Sequence, residues 1–279
     1  MTAIAISPDA TFVAVGHQSG SVFLYELASK SARPTRTAPA LPAAALSSGK
    51  KEGHLIGTAI THLAFVGRRH TAIVTSDESG RAFWWSLGKV VGVESNDVIR
   101  LLGMSPPAIF PQNRGIDTGT TARIVAGNKS SRSAKDQDLF ASSPLPVGVE
   151  DHLSDNFGMI ALLTGSKLMI VGLKPSARTL YRRSRQADGG RTGKMIGCAA
   201  WLPAQRSRRH HSGDPVLAYS WGNQLRFLKI QVTPAEKPEL VEGKTASNYA
   251  VNRAEFIEGR IWREEAPIVG LSWLNPTVS

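Results

Sequence analysis

The sequence predicts an all-β fold: a partial β-propeller of about four blades plus the first strand of a fifth, with long loop insertions. Three observations carry this. "FVAVGHQSGSVFLYEL" (residues 12–27) is two hydrophobic stretches joined by a glycine turn, and "TAIVTSDESGRAFWWSL" (71–87) repeats the plan. "IALLTGSKLMIVGL" (160–173) and "LAYSWGNQLRFLKI" (217–230) form a second such pair. No strong helical segment separates the units.

Gly20 and Gly80 anchor the first pair. The residue seven before each is β-branched, Val13 and Ile73, and the residue five after each is aromatic, Tyr25 and Trp85. Further back, "AIAISPD" and "THLAFVG" each alternate and end at a turn. Each unit therefore reads strand, turn, strand, tight turn, strand. In the second pair, setting Gly165 on Gly222 aligns Leu168 with Leu225, Ile170 with Phe227 and Val171 with Leu228. Gly-Ser and Gly-Asn suit two-residue hairpin turns, because glycine takes positive φ without a Cβ clash. The entering strands "CAAWLP" (198–203) and "LSWLNP" (271–276) also match, and the last opens a unit that is not completed.

The blade-like units fall at about 1–27, 54–101, 138–181 and 194–232, with the next starting within 249–279. Gly20 and Gly80 are 60 residues apart, and Gly165 and Gly222 are 57 apart. A WD-type blade takes roughly 40–45 residues, so the excess is assigned to insertions. These are 28–53, 104–137 and 182–193, with low order expected over 112–137. "ARIVA" (122–126) reads as a short strand, and "DLFASSPLPVG" as an apolar stretch that docks on a blade.

Composition narrows the class. The chain of 279 residues is 42% hydrophobic, enough for a core, and no apolar run approaches the length of a membrane span. The N-terminal "MTAIAISPDA" does not read as a secretory signal. The single cysteine, Cys198, excludes an internal disulfide and fits a reducing compartment. A net charge of +11 favours anionic partners. Much of it sits in two polar runs, "RTLYRRSRQADGGRTGK" (178–194) and "RSRRHH" (206–211). Arg178, Arg182, Arg183, Arg185, Arg206, Arg208 and Arg209 are the candidates for contact with an anionic membrane surface, against a plainer reading as solvated loops.

Sharper motifs do not hold. "GGRTGK" (189–194) lacks P-loop spacing, and Met195 stands where the hydroxyl residue belongs. His210, His211 and Asp214 make a poor metal set beside Arg206, Arg208 and Arg209, since a zinc site usually needs four ligands on a rigid frame. Trp84 and Trp85 are adjacent and so face opposite sides of a strand. Trp201, Trp221 and Trp273 read as core, and Cys198 as an inert thiol. No catalytic set and no cofactor is indicated. A basic propeller that binds nucleic acid is disfavoured, because Tyr181 is the only aromatic interleaved with the arginines. A propeller enzyme would need carboxylates or histidines converging on the central channel.

"SDESGRAFWWSL" resembles the turn and third strand of a WD repeat, and "EGHLIGTAITHLAFVG" resembles the Gly-His lead-in to one. His54 and Asp77 are placed in a buried hydrogen-bonded network, although the aspartate is displaced from the usual pattern. Glu26 and Ser86 follow the aromatics, and only the first is acidic. The longer string "EGHLIGTAITHLAFVGRRHTAIVTSDESGRAFWWSLGKV" is similar to the N-terminal propeller of the vacuolar protein sorting-associated protein 8 family, the large subunit of the CORVET endosomal tether. "LPVGVEDHLSDNFGMIALLTGSKLMIVGLKPSARTLYR", "DPVLAYSWGNQLRFLKI" and "AEFIEGRIWREEAPIVGLSWLN" resemble it in the same order. The resemblance implies a non-enzymatic module in endosome-to-vacuole transport, peripheral on the endosome. It also implies a longer protein with an α-solenoid and a RING-type zinc module, and as partners the other CORVET subunits and an early-endosomal Rab GTPase.

Overall fold

Four antiparallel sheets of four strands each follow one another along the chain. The computed structural model describes residues 1–47, 51–87, 89–90, 93–94, 97–103, 139–148, 152–174, 176–185, 196–204, 213–234 and 253–273. The first sheet holds β1 (Ala3–Ile6), β2 (Phe12–Gly16), β3 (Val22–Glu26) and β4 (Arg36–Ala38) in chain order. A short helix α1 (Ala43–Ser47) follows. The second sheet begins with β5 (Ile60–Phe65), β6 (Ala72–Asp77) and β7 (Ala82–Ser86). The small hairpin of β8 (Lys89–Val90) and β9 (Val93–Glu94) intervenes before its outer strand, β10 (Val98–Leu102). The third sheet is β11 (Leu139–Pro144), β12 (Met159–Thr164), β13 (Lys167–Gly172) and β14 (Arg178–Ser184), with a 3-10 turn over Leu153–Phe157. The fourth is β15 (Ala199–Leu202), β16 (Val216–Trp221), β17 (Gln224–Thr233) and β18 (Arg253–Arg263).

The leading strands set the architecture. β1 packs on β5, β5 on β11 and β11 on β15. Successive sheets thus stand face to face, with their first strands innermost, which is a partial propeller.

The core lies between the sheets. Side chains alternate across a strand, so a central sheet needs apolar residues at consecutive positions. On β12, Ala161 and Leu163 face the fourth sheet, while Ile160 and Leu162 face the second. On β6 and β7, Ile73, Phe83 and Trp85 pack on Ala14, Val22 and Leu24 of the first sheet. Val74, Ala82 and half-buried Trp84 instead face the third. Each buried aliphatic side chain contributes about 1.5–3 kcal/mol.

The two hairpins anchored on Gly20 and Gly80 share one register: Val13 pairs Tyr25 as Ile73 pairs Trp85. Gly20, Gly80 and Gly222 have φ of +88°, +77° and +60°. At Gly20 a Cβ would also lie 2.5 Å from the Leu55 carbonyl oxygen. The Gly165 turn is held by a side chain: Thr164 Oγ1 accepts from the Lys167 amide at 3.0 Å and donates to the Lys167 carbonyl at 3.0 Å.

The structure redraws several boundaries. Part of 28–53 supplies β4 and α1, and residues 182–184 continue β14. "DLFASSP" is more than a docked stretch, because it provides β11, the innermost strand of its sheet. Within 249–279, residues 253–263 form β18; of "LSWLNP", read as the opening strand of a fifth unit, only 271–273 lie among the described residues. β18 is the outer strand of the fourth sheet, paired with β17 from Gln224↔Arg263 to Thr233↔Arg253. Ten residues of β17 leave a backbone edge to be paired, and "AEFIEGRIW" alternates as well for an outer strand as for an inner one. The chain then returns along the sheet, with the Ile268 amide on the Gly222 carbonyl at 2.8 Å and Trp273 Nε1 on the Ala200 carbonyl at 3.2 Å; residues 271–273 form no strand. Residues 112–137, with "ARIVA", lie outside the described residues.

Among the described residues, nothing covers the outer face of the first sheet. Ala3 and Ala5 pack toward the core, while Ile4 and Ile6 are 57% and 64% exposed. Self-association through this face is expected. Light scattering should show the average mass rising with concentration, and Ile4→Lys with Ile6→Lys should suppress that rise.

Candidate interaction site

A buried polar network closes one end of the second blade. His54, on the connection entering β5, lies 2.8 Å from Asp77 Oδ2 through Nδ1 and 2.7 Å from Thr75 Oγ1 through Nε2. Trp85 Nε1 donates to Thr75 Oγ1 at 2.7 Å. Thr75 therefore gives its one proton to His54 Nε2, and the remaining ring proton, on Nδ1, is donated to the Asp77 carboxylate. Arg81 Nη2 reaches Asp77 Oδ2 at 2.9 Å. Asp77 Oδ1 accepts from the Ser79 and Arg81 amides at 3.0 and 3.2 Å. His54 is 1% exposed, with its ring edge-on to Phe83. This satisfied network ties the entering loop, two strands and the tight turn together, out of reach of any substrate. The structure brings His54 and Asp77 together, with Thr75, Arg81 and Trp85 completing the set. Tyr25 occupies the register of Trp85 but is only half-buried, and Val15 and His17 stand where Thr75 and Asp77 would be. The first blade therefore builds no such network.

The opposite end carries the turns between first and second strands, and there each blade is joined to the next by an acid–base contact. His70 Nδ1 lies 3.0 Å from Asp9 Oδ2, with its ring stacked on Phe12. Arg68 approaches Asp155 at 3.9 Å. His152 approaches Asp214 at 3.9 Å, and Asp214 also pairs with Lys229 at 2.9 Å. The Ser7 and Thr11 hydroxyls hold the Asp9 carboxyl well below the usual carboxylate range.

Between the second and third sheets, this face opens into a groove of about 720 Å³. Val66, half-buried Trp84 and Leu173 form its floor. Arg68 and Arg69 line it from the second sheet, and Lys174, Asp155 and Asn156 from the third. Arg68 and Arg69 lie within "GRRH" (67–70), a short turn that carries no motif of its own in the sequence.

The predicted arginines are dispersed. Arg178 and Arg182 are exposed on β14. Arg183 pairs with Glu258, which also accepts from the Tyr181 hydroxyl at 2.6 Å, so this arginine joins the third sheet to the fourth. Arg185 caps the neighbouring turn through the Gly165 carbonyl at 3.4 Å. Arg206, Arg208 and Arg209, with His210 and His211, lie outside the described residues. Trp201 and Trp221 are core residues, but Trp273 is 37% exposed and rests on Phe227. Cys198 is half-buried, 3.1 Å from the Ser220 hydroxyl.

Stacked blades, a closed polar network in the second of them and an open surface groove define a propeller module suited to protein interaction. A family model described as the Vps8 beta-propeller matches residues 1–278. The chain belongs to that family. No curated protein matches it. Similar solved structures include the Cps50 (Swd1) beta-propeller domain of Myceliophteria thermophila, at 9% identity and TM-score 0.44, covering 94% of this chain and 58% of that one. Saccharomyces cerevisiae Sqt1 matches at 9% identity and TM-score 0.44, over 81% of this chain and 43% of that one. A chain of a mitotic checkpoint complex matches at 13% identity and TM-score 0.41, over 80% and 47%. This chain thus spans about half the length of the structures it matches.

Burial pushes His54 below its usual 6.5, against the pull of Asp77, so the folded state holds it neutral. The unfolded chain takes up that proton first. Stability is therefore full above about pH 6.5 and falls as pH drops below it. Burial lowers His62 in the same sense. Thermal melts between about pH 8 and pH 5.5 should show this decline, and His54→Gln should remove part of it. His54→Ala leaves the Asp77–Arg81 pair and Thr75 short of a buried partner; it is expected to cost about 3 kcal/mol, read as a lower urea midpoint.

Proposed function

We propose that this chain is the propeller portion of an endosomal membrane-tethering subunit. It acts in endosome-to-vacuole or lysosome protein transport as a non-enzymatic interaction module. Its partners are an early-endosomal Rab GTPase and the other CORVET subunits, and its place is the cytoplasmic face of the endosome, as a peripheral protein. The observation that carries this reading is the family match over residues 1–278. The geometry supports it: His54, Asp77 and Thr75 of the second blade are spent on internal bonds, and the open surface is a groove suited to a macromolecular partner. Among the described residues, no helix is long and apolar enough to cross a membrane.

Nucleic-acid binding is the weaker reading. Arg183 and Arg185 are engaged inside the fold, and this breaks up the basic stripe such binding would use.

In a pull-down, the purified chain is expected to retain an early-endosomal Rab loaded with a non-hydrolysable GTP analogue and to release it when loaded with GDP. Equal retention of both forms would overturn the proposal.

A further inference from the structure

We propose that the groove between the second and third sheets docks an acidic, extended segment of a partner protein, with an apolar side chain seated on Trp84. This goes beyond the tethering reading and does not depend on a Rab.

The groove has two different parts. Its floor is apolar: Val66 and Trp84 come from the second sheet and Leu173 from the end of β13. Its rim is basic. Arg69 and Lys174 are exposed, and no described residue pairs with either side chain. Arg68 lies 3.9 Å from Asp155 with half of its side chain in solvent. Among the described lining residues, Arg69 and Lys174 thus add positive charge beside the Arg68–Asp155 contact. The volume, about 720 Å³, is that of a cleft for a small ligand or a few residues of peptide. The mouth is unobstructed: Gly67 has φ +84°, and nothing lies within 4 Å of where its Cβ would be.

Charge complementarity selects an anionic occupant, and the floor selects one with an apolar group. Asp155 narrows the choice further. A phosphate-dense ligand such as RNA or a lipid headgroup would crowd that carboxylate. Carboxylates spaced along a peptide can sit by Arg69 and Lys174 and leave Asp155 uncrowded. Protein partners commonly bind in this way, through an apolar anchor flanked by charges that set register and encounter rate.

The test is fluorescence anisotropy with a labelled peptide of about ten residues, Glu and Asp around a central Phe-Leu pair. The wild-type chain is expected to bind it saturably and to weaken as salt rises. Arg69→Glu with Lys174→Glu should weaken binding about tenfold or more while leaving the melting temperature unchanged, since both side chains are exposed. Trp84→Leu should weaken it independently of salt. The proposal is overturned if the peptide does not bind, or if the charge-reversed variant binds as tightly as wild type. It is also overturned if an all-acidic peptide lacking Phe-Leu binds equally well, or if single-stranded RNA or phosphatidylserine vesicles bind in the peptide's place. The two readings fail separately. Loss of Rab retention with the wild-type chain counts against the tether, whereas loss of peptide binding counts only against the groove.

Discussion

On β12, Ile160 and Leu162 point one way, Ala161 and Leu163 point the other, and all four are fully buried. A sheet with two apolar faces needs a neighbour on each, because side chains alternate from face to face and water is a poor contact for both. That demand places the sheets in a stack. Each core cluster bridges two successive sheets, so stability comes from contacts between sheets rather than within any one of them. It also makes the end sheets different: β1 keeps Ile4 and Ile6 in solvent because its outer face has no neighbour among the described residues.

The two ends of the stack handle polar groups in opposite ways. At one end His54, Thr75, Asp77, Arg81 and Trp85 satisfy one another within a single blade and exclude water. Such a network holds its geometry because any partner left alone would be costly to bury. At the other end the pairs run from blade to blade: Asp9 to His70, Arg68 to Asp155, His152 to Asp214. They are partly exposed and therefore individually weak. Their geometry still aligns neighbouring turns, and the groove opens beside the Arg68–Asp155 contact.

The positive charge is likewise not a single surface. Along 178–194 it looks continuous in sequence, but strand alternation sends Arg182 outward and Arg183 inward to Glu258. A second basic grouping forms between residues far apart in the chain, Arg68 and Arg69 on one sheet and Lys174 on the next. Linear charge density was thus a poor guide to where the field converges, since the fold decides which charges share a face.

The hairpins, their shared register and the face-to-face packing were legible in the sequence, because period-2 alternation and turn glycines are local properties that the backbone must obey. His54 and Asp77 could be paired from the WD-like pattern; Thr75 and Arg81 could not be singled out from ordinary strand and turn residues. The tertiary structure alone decided which strand ends each sheet. β4 and β18 pair across intervening segments, and an outer strand carries the same alternation as an inner one, so only the hydrogen-bonding partner tells them apart. It alone decided the groove as well, because that surface exists only where two sheets meet and no stretch of sequence contains both of its walls.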